Sequence, residues 1–503
     1  MAFTFIAAKK GKAKPAKEAP AVAAPTPAAS APPSAGGKAP AATGGKTPRM
    51  PCPLDSGKPV KVYGHTLNPN AVLEKDEVWT PDNVYSIHGP IHIKKSLTIQ
   101  AGTVICMTYA DFPTEGSANP PPGNIEFMEK AWVKMLGKPD KHIVFTSQNG
   151  KNEYWGGMYF ASGALNDQST LQYVDVYNAG GSGSGHPLST FPDFKAPPLD
   201  LQHVTYYSSQ RLGLQNLTSG FTPETRIVYN NYTDDQAKRY WYDGYPTLRI
   251  HPYAAHTVTE ETFKVGEIPP AARYIQLDHA EGMNIDQNVT LHKLQKGLVW
   301  RNIQNMKVNG YPDEPPTLKI DPGTVIALSN GGSLRICDGG NSFANIEAVG
   351  TKEEPIVFTS DAFVRGEDPQ PGDWPSIVFV PGCFCPGAQD CAKKKRLGMS
   401  RFDHVIFEYG GGTGKDTVYN CNDKGNGIAA IVFFRGIGWD YEGPPITNST
   451  FRFIAGSGIR NNTGGGNLLT SYTDPKLGNT FEGFDPNASP PRWPQVPLSC
   501  PAN

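Results

Sequence analysis

The sequence predicts an all-β solenoid that is internally duplicated into two halves, and three observations support this fold class. The chain has 503 residues, which is more than one compact hydrophobic core usually accommodates. It contains 54 Gly and 47 Pro but only 18% charged residues, a composition that favours turn-rich β structure. Its apolar residues form short alternating runs closed by Gly, Asn, Asp or Pro, which is the pattern of strands and turns.

One stretch occurs twice and reveals the duplication: LTIQAGTVI begins at Leu97, and LKIDPGTVI begins at Leu318. Further stretches match in the same order, namely HIVFTS with PIVFTS, YWGGMYF with DWPSIVF, and LQYVDVYNAGG with FDHVIFEYGGG. An ordered series of matches indicates repeated structural units that stack on their neighbours. We therefore expect equivalent corners at Gly102 and Gly323, and equivalent strand positions at Thr146 and Thr359.

The expected organisation has five parts. They are a disordered Ala/Pro/Lys-rich tether at 1–55, a first β-helical half at 56–245, a joint at 246–265, a second β-helical half at 266–485 with a Cys-rich insertion at 381–421, and a Pro-rich tail at 486–503. The tether contains too few large apolar side chains to offset the entropy of ordering. The best candidate for a helix is EFMEKAWVKMLG at 126–137, although its counterpart SFANIEAVG has the pattern of a strand.

Charge and hydropathy exclude several partners. The net charge of −1 gives no overall field that would attract nucleic acid. No run of about 18 apolar residues occurs, so no transmembrane segment is expected. At the N-terminus an apolar run precedes the lysines instead of following them, so no intact signal peptide is expected. The sequence does not specify an oligomeric state.

Four of the eight cysteines crowd into the insertion: Cys383, Cys385, Cys391 and Cys421. We expect at least one disulfide among them, which would imply an oxidising compartment. A zinc site is an alternative, but its usual paired C-x-x-C spacing is missing. Free buried thiols are a third interpretation.

The repeated stretches, together with the PIVFTS and FDHVIFEYGGG segments, resemble right-handed parallel β-helix proteins of bacterial cell surfaces, which are pectin-lyase-like solenoids. The resemblance covers roughly residues 75–480. It implies a right-handed parallel β-helix and an extracellular or cell-surface location, although a cytoplasmic location is not excluded. These motifs describe how coils pack, so they carry little information on function. The chain has no lipobox cysteine near its N-terminus, unlike many lipoproteins of this kind.

An enzymatic alternative is a polysaccharide lyase or glycoside hydrolase. A lyase needs a base and usually a Ca²⁺ ion held by acids, and the Asp278-His279 and Asp403-His404 pairs are the tempting candidates. The repeat places Asp403 where the first half has Gln172, so coil packing explains this pair without catalysis. We expect no catalytic residue, no metal site and no cofactor; Ca²⁺ is an option that no motif supports.

The best binding candidate is an aromatic cluster formed by Tyr240, Trp241, Tyr242 and Tyr245. Flat aromatic rings stack on sugars, although these rings could instead seal the end of the first half. We therefore expect a non-catalytic, extracytoplasmic solenoid that presents a binding, adhesion or assembly surface to a glycan or a protein. A structural subunit of a larger surface particle is the third alternative. On this hypothesis, replacing Trp241 and Tyr242 with Ala weakens attachment more than Asp403→Ala does.

Overall fold

The structure is a computed structural model that describes successive coils of short β-strands between residues 52 and 482. It describes residues 52–64, 71–108, 123–147, 155–164, 167–180, 186–190, 197–207, 214–216, 219–230, 246–264, 268, 272–278, 284–302, 304–311, 314–337, 343–362, 366–379, 400–412, 429–434, 443–462 and 470–482.

The first part of the chain forms short strands that recur at each turn of the solenoid. They are β1 (Val60–Tyr63), β2 (Ala71–Leu73), β3 (Glu77–Trp79), β4 (Val84–His88), β5 (Ile91–Ile93), β6 (Ser96–Gln100), β7 (Val104–Thr108), β8 (Asn124–Phe127), β9 (Trp132–Leu136), β10 (Ile143–Ser147), β11 (Gly157–Phe160), β12 (Thr170–Tyr177), β13 (Leu188–Thr190), β14 (Asp200–Tyr207), β15 (Leu214–Asn216), β16 (Ile227–Asn230), β17 (Leu248–Ile250), β18 (Phe263–Lys264) and β19 (Tyr274–Leu277). A 3₁₀ helix, Pro252–Thr257, lies between β17 and β18.

The second part continues in the same manner. Its strands are β20 (Asn284–Ile285), β21 (Val289–Leu291), β22 (Val299–Asn302), β23 (Met306–Val308), β24 (Thr317–Ile320), β25 (Val325–Leu328), β26 (Leu334–Ile336), β27 (Asn345–Val349), β28 (Ile356–Ser360), β29 (Ile377–Phe379), β30 (Arg401–Asp403), β31 (Val405–Glu408), β32 (Ala429–Phe434), β33 (Ile446–Thr447), β34 (Thr450–Arg452), β35 (Ser457–Asn462) and β36 (Thr480–Glu482). A short 3₁₀ helix, Pro475–Leu477, precedes β36.

The named strands pair in parallel, and each strand pairs with its counterpart in the next coil. Within the described residues they form sheets of 11, 14, 6 and 5 strands. Parallel strands require a crossover between neighbours, and here each crossover is the remainder of one coil. The prediction of an all-β parallel solenoid is confirmed.

The 14-stranded sheet, which we call the shared sheet, runs through both halves from β2 to β36. Across the predicted joint its order is β17-β19-β22. The 11-stranded sheet ends at β18, whereas the 6- and 5-stranded sheets begin at β20 and β21. One face of the solenoid is therefore continuous, while the other two are interrupted at the joint.

The two halves use the shared sheet differently. The first Gly-Thr-Val-Ile strand, β7, lies in the 11-stranded sheet, whereas its repeat, β25, lies in the shared sheet. In the first half the shared sheet instead receives the strand that follows, β8. Equivalent strands of the second half therefore lie on the next face of the solenoid, compared with their counterparts in the first half.

The interior contains columns of apolar side chains from successive coils. Phe358, Phe407, Phe451 and Phe481 stack with ring centroids 5.4, 4.8 and 5.0 Å apart. Each coil therefore packs mainly on its two neighbours, as in other solenoids.

The two predicted equivalences are confirmed at the level of the repeat. Gly102 and Gly323 have φ values of 82° and 75°, which favour glycine. Thr146 pairs with the third residue of β7, and Thr359 pairs with the third residue of β25. The duplication therefore extends to individual corners and strand positions.

The helix expected at 126–137 is wrong. This segment contains the end of β8 and all of β9, and Val133 and Met135 point into the core while Trp132 and Lys134 do not. The side chains alternate with the period of two that a strand requires. Pairing with β6 and β12 on either side stabilises the strand despite the helix-favouring Glu, Lys and Met residues.

A disulfide joins Cys52 to Cys106, the latter in β7. Cys337, after β26, is also disulfide-bonded. The disulfide expected among Cys383, Cys385, Cys391 and Cys421 lies outside the described residues and stays a prediction.

Candidate functional site

The residues predicted to bind a ligand, Tyr240, Trp241, Tyr242 and Tyr245, lie outside the described residues, and so does His279. Their role stays a prediction. Asp278 is described, and its backbone N–H donates to the Ile250 carbonyl oxygen at 2.9 Å. That bond belongs to the pairing between neighbouring coils.

Asp403 and His404 form a corner between β30 and β31. Asp403 Oδ1 accepts hydrogen bonds from Thr447 Oγ1 at 2.8 Å and from Asn448 Nδ2 at 2.9 Å, and His404 Nδ1 lies 3.2 Å from the same oxygen. Partial burial acts to raise the pKa of Asp403, but the hydrogen bonds and the His404 charge outweigh it, so the pKa is lowered. The carboxylate fastens one coil to the next.

The same corner recurs in the first half with different side chains. His404 and Asn448 have φ values of 50° and 48°, and Tyr173 and His203 have φ values of 49° and 54°. Few non-glycine residues adopt this region. Each of these residues turns the chain from one face of the solenoid to the next: residues on one side of Tyr173 pair with β9, and those on the other side pair with β10.

Beside the first-half corners lies a partly exposed surface that we call the amide face, on the outer side of β9, β12 and β14. It consists of Trp132, Lys134, Leu136, Thr170, Gln172, Asp200 and Gln202. In-register pairing aligns six of these side chains in two rows across the three coils, one with Lys134, Thr170 and Asp200 and the other with Leu136, Gln172 and Gln202, while Trp132 precedes them on β9. Neighbours in a row are about 4.8 Å apart because that is the spacing of paired strands.

Hydrogen bonds fix the polar side chains of the amide face. Gln172 Nε2 donates to Gln202 Oε1 at 3.2 Å, and Gln202 Nε2 donates to Asp200 Oδ2 at 2.9 Å. Asp200 also accepts from Thr170 Oγ1 at 2.6 Å and from Thr222 Oγ1 at 2.9 Å. Lys134 Nζ lies 5.2 Å from the centroid of the Trp132 ring, within reach of a cation–π interaction. The surface is therefore ordered before any ligand binds.

A column of three rings, which we call the ring column, borders the amide face. His142 and Tyr173 lie 5.6 Å apart between ring centroids, and Tyr173 stacks on His203 at 4.6 Å with an interplanar angle of 8°. His142 Nδ1 also lies 3.1 Å from Asp175 Oδ1. Burial raises the pKa of Asp175, against the opposing effect of the His142 hydrogen bond and charge.

The equivalent surface of the second half is ionic. Its equivalence follows from matching contacts, because the Ser169 and Ser400 hydroxyls accept from the backbone N–H of Val133 and Ile346, at 3.3 and 3.1 Å. Where the amide face has Lys134 and Thr170, the second half has Glu347 and Arg401. Arg401 Nη2 donates to Glu347 Oε1 at 2.8 Å, so these charges neutralise each other.

The amide face and ring column were missed in the sequence because their members come from different coils. In the linear sequence Gln172 is only the counterpart of Asp403, and His142 only the first residue of a repeated strand. A signal was present, since Gln202-His203 repeats the position of Gln172-Tyr173 one coil later. Only the register between coils shows that these pairs are in contact.

Among the described residues, no helix is long and apolar enough to cross a membrane. No His, Cys, Asp and Glu side chains in that part of the chain form a group of three or more that could hold a metal ion. No protein-family model matches the chain, and no curated protein or solved structure shows significant similarity to it.

Proposed function

We propose that the protein is a non-catalytic, extracytoplasmic β-solenoid that binds a glycan through the amide face and ring column. The observation that carries this proposal is the hydrogen-bonded chain from Gln172 through Gln202 to Asp200, in which amide and carboxylate groups are fixed on an accessible surface. Sugar hydroxyls both donate and accept hydrogen bonds, so a row of amides suits them chemically.

Preorganisation favours binding because the side chains need not be ordered when the ligand arrives. The Gln172 and Gln202 amides are held by their bonds to each other and to Asp200, and they lie on strands rather than on loops. Trp132 adds a partly exposed ring that can lie against the apolar face of a sugar.

The comparison between halves supports the choice of the first half. In the second half, Arg401 pairs with Glu347, and Asp403 accepts hydrogen bonds from Thr447 and Asn448. Charged groups that already hydrogen-bond to each other within the protein have fewer hydrogen bonds left to offer a neutral ligand. We infer that the duplicated surface specialised for binding in one copy and for coil packing in the other.

The extracellular or cell-surface location, and membership of the cell-surface β-helix proteins, are part of the same proposal. The Cys52–Cys106 disulfide supports an oxidising compartment, where such bonds persist.

The test compares Gln172→Ala/Gln202→Ala with the matched Glu347→Ala/Arg401→Ala variant from the equivalent surface. An array of neutral and acidic glycans identifies the best-bound probe, which is then titrated against each variant. We expect the glutamine variant to bind about 10- to 100-fold more weakly, since two hydrogen bonds of about 1 kcal/mol each are lost. The control should bind like the parent protein.

Two results would contradict the proposal. Equal weakening by both variants would indicate a general loss of structure. Depolymerisation of the bound glycan that Asp403→Ala abolishes, with the fold intact, would instead indicate the polysaccharide-degrading alternative.

A further inference from the structure

A second polar cluster lies on the outer side of the shared sheet, where that sheet passes from the first half to the second. Arg249 in β17, Gln276 in β19 and Arg301 in β22 are aligned in register on adjacent strands. The residues that alternate with them, such as Leu248, Ile275 and Trp300, belong to the solenoid core. The three polar side chains therefore share the outer face, at the spacing of one coil.

Arg301 is buried and neutralised. Its Nε and Nη2 atoms donate to Asp361 Oδ2 at 3.0 and 2.7 Å, and the Arg301 and Asp361 residues are only 7% and 2% exposed. The guanidinium carbon lies 4.7 Å from the centroid of the Tyr274 ring. Its position is thus fixed by an ion pair on one side and an aromatic ring on the other.

Within the described part of the chain, three buried polar atoms of the cluster lack a hydrogen-bond partner: Arg249 Nε, Tyr274 OH and Gln276 Oε1. Tyr274 and Gln276 are only 1% and 3% exposed, and Arg249 has no carboxylate within ion-pair distance among the described residues. Leaving buried polar groups unpaired is unfavourable, so native proteins seldom do so without a reason. Two of these atoms are donors, and no carboxylate of the described segments compensates the Arg249 charge.

Apolar side chains border the cluster on one side. Val299 and Ala327 are buried against Tyr274 on the same outer face, with Val325 packed beside them. Burial raises the pKa of Tyr274 to about 12, against the opposing effect of the nearby Arg301 and Arg249 charges, so its hydroxyl stays protonated and can donate. Arg249 is the more exposed of the two arginines, which places the uncompensated charge on the accessible side.

We propose that Arg249 and Tyr274, supported by Gln276 and the fixed Arg301, form a binding site for a carboxylate group. A carboxylate accepts hydrogen bonds from both a guanidinium and a phenol, and its charge would balance Arg249. The Gln276 amide lies between the two arginines and is suited to a hydroxyl group beside the carboxylate. This site is separate from the amide face and does not depend on the proposed function.

The test uses thermal unfolding of the full chain with paired probes at constant ionic strength. Glucuronate is compared with glucose, and N-acetylglutamate α-amide with N-acetylglutamine α-amide, because the members of each pair differ mainly in one carboxylate. We expect a saturable increase in Tm with at least one acid and none with its neutral partner. Which acid binds distinguishes a sugar acid from an acidic amino acid as the source of the carboxylate.

Arg249→Gln should weaken carboxylate binding at least 10-fold, since it removes a charge-assisted hydrogen bond. Arg249→Lys, which keeps the charge but not the planar fork, should be intermediate and decides the matter if the Gln variant fails to fold. The matched control is Arg452→Gln. Arg452 lies in the same sheet, but its Nη2 already pairs with Glu408 Oε2 at 2.6 Å. Gln172→Ala should also leave carboxylate binding unchanged.

The proposal is overturned if neither acid raises Tm beyond its neutral partner. It is equally overturned if the Arg249 variants retain binding, or if Arg452→Gln weakens binding as much as Arg249→Gln does.

Discussion

At the scale of single residues, several corners of this solenoid are formed by non-glycine residues in the left-handed backbone conformation, which such residues rarely adopt. Tyr173, His203, His404 and Asn448 all do so. Each could be replaced by glycine as far as φ is concerned. The side chains of Tyr173, His203 and Asn448 nevertheless contact the neighbouring coil, and that of His404 contacts Asp403. The corner therefore combines backbone geometry with a lateral contact.

Asp403→Ala should lower the free energy of unfolding by about 1 kcal/mol near neutral pH, because Thr447 and Asn448 lose their common acceptor and the site is partly exposed. The folded-state pKa of Asp403 is lowered, so its contribution is present above the unfolded value of about 3.9. It should disappear as the pH falls through the folded-state pKa. Denaturant unfolding at a series of pH values measures the difference.

Glu347→Ala is the control for Asp403→Ala, because it removes a carboxylate from a neighbouring coil whose partner, Arg401, is exposed. A pH-independent loss of stability in Asp403→Ala would contradict a role for the ionised carboxylate.

At the scale of elements, the sequence predicted what depends on spacing along the chain. The alternation of apolar residues identified strands such as β6 and β28, and the glycine at position 102 identified a corner. The helix at 126–137 was predicted wrongly because the choice between helix and strand depends on pairing with β6 and β12, which are distant in sequence. The amide face was missed for the same reason, since it exists only once the coils are in register.

Removal of the disulfide by Cys52→Ser should destabilise the first coils. A crosslink between residues 54 positions apart reduces the conformational entropy of the unfolded chain. In the loop-entropy description this stabilises the folded state by up to about 4 kcal/mol. We expect amide hydrogens of β1 and β4 to exchange faster in the variant, as followed by mass spectrometry. Peptides from β28 serve as the internal control, and faster exchange there as well would contradict a local effect.

At the scale of the whole molecule, the shared sheet couples the halves. The linear repeat could not reveal this, because LTIQAGTVI and LKIDPGTVI look the same whether they lie on one face or on two. Their different faces depend on how many strands the chain forms between β17 and β22, where β18 to β21 are short and the repeat is broken. The division into domains at the joint stays a prediction.

Ile275→Ala in β19 should weaken protection from hydrogen exchange on both sides of the joint. Ile275 is fully buried and pairs with both Leu248 and Trp300. Loss of such a side chain typically costs 2–5 kcal/mol. Exchange should accelerate in β17 and in β22.

The matched control for Ile275→Ala is Ile99→Ala, another fully buried isoleucine that lies several coils away. Nearest-neighbour coupling predicts that it leaves β22 unaffected. Acceleration confined to one side of the joint in Ile275→Ala would indicate that the halves behave independently.

The Cys52–Cys106 bond also determines how the protein bears a mechanical load. A pull on the backbone at Cys52 reaches β7 directly through the sulfur atoms, so the exposed edge strand β1 and the strands up to β6 carry no tension. Without the bond, the strands would separate one after another from β1 onward, whereas the disulfide transfers the load to β7. The chain between the two cysteines is a reserve of length that is released only when the bond is reduced, and a reductant would therefore convert a stiff attachment into an extensible one.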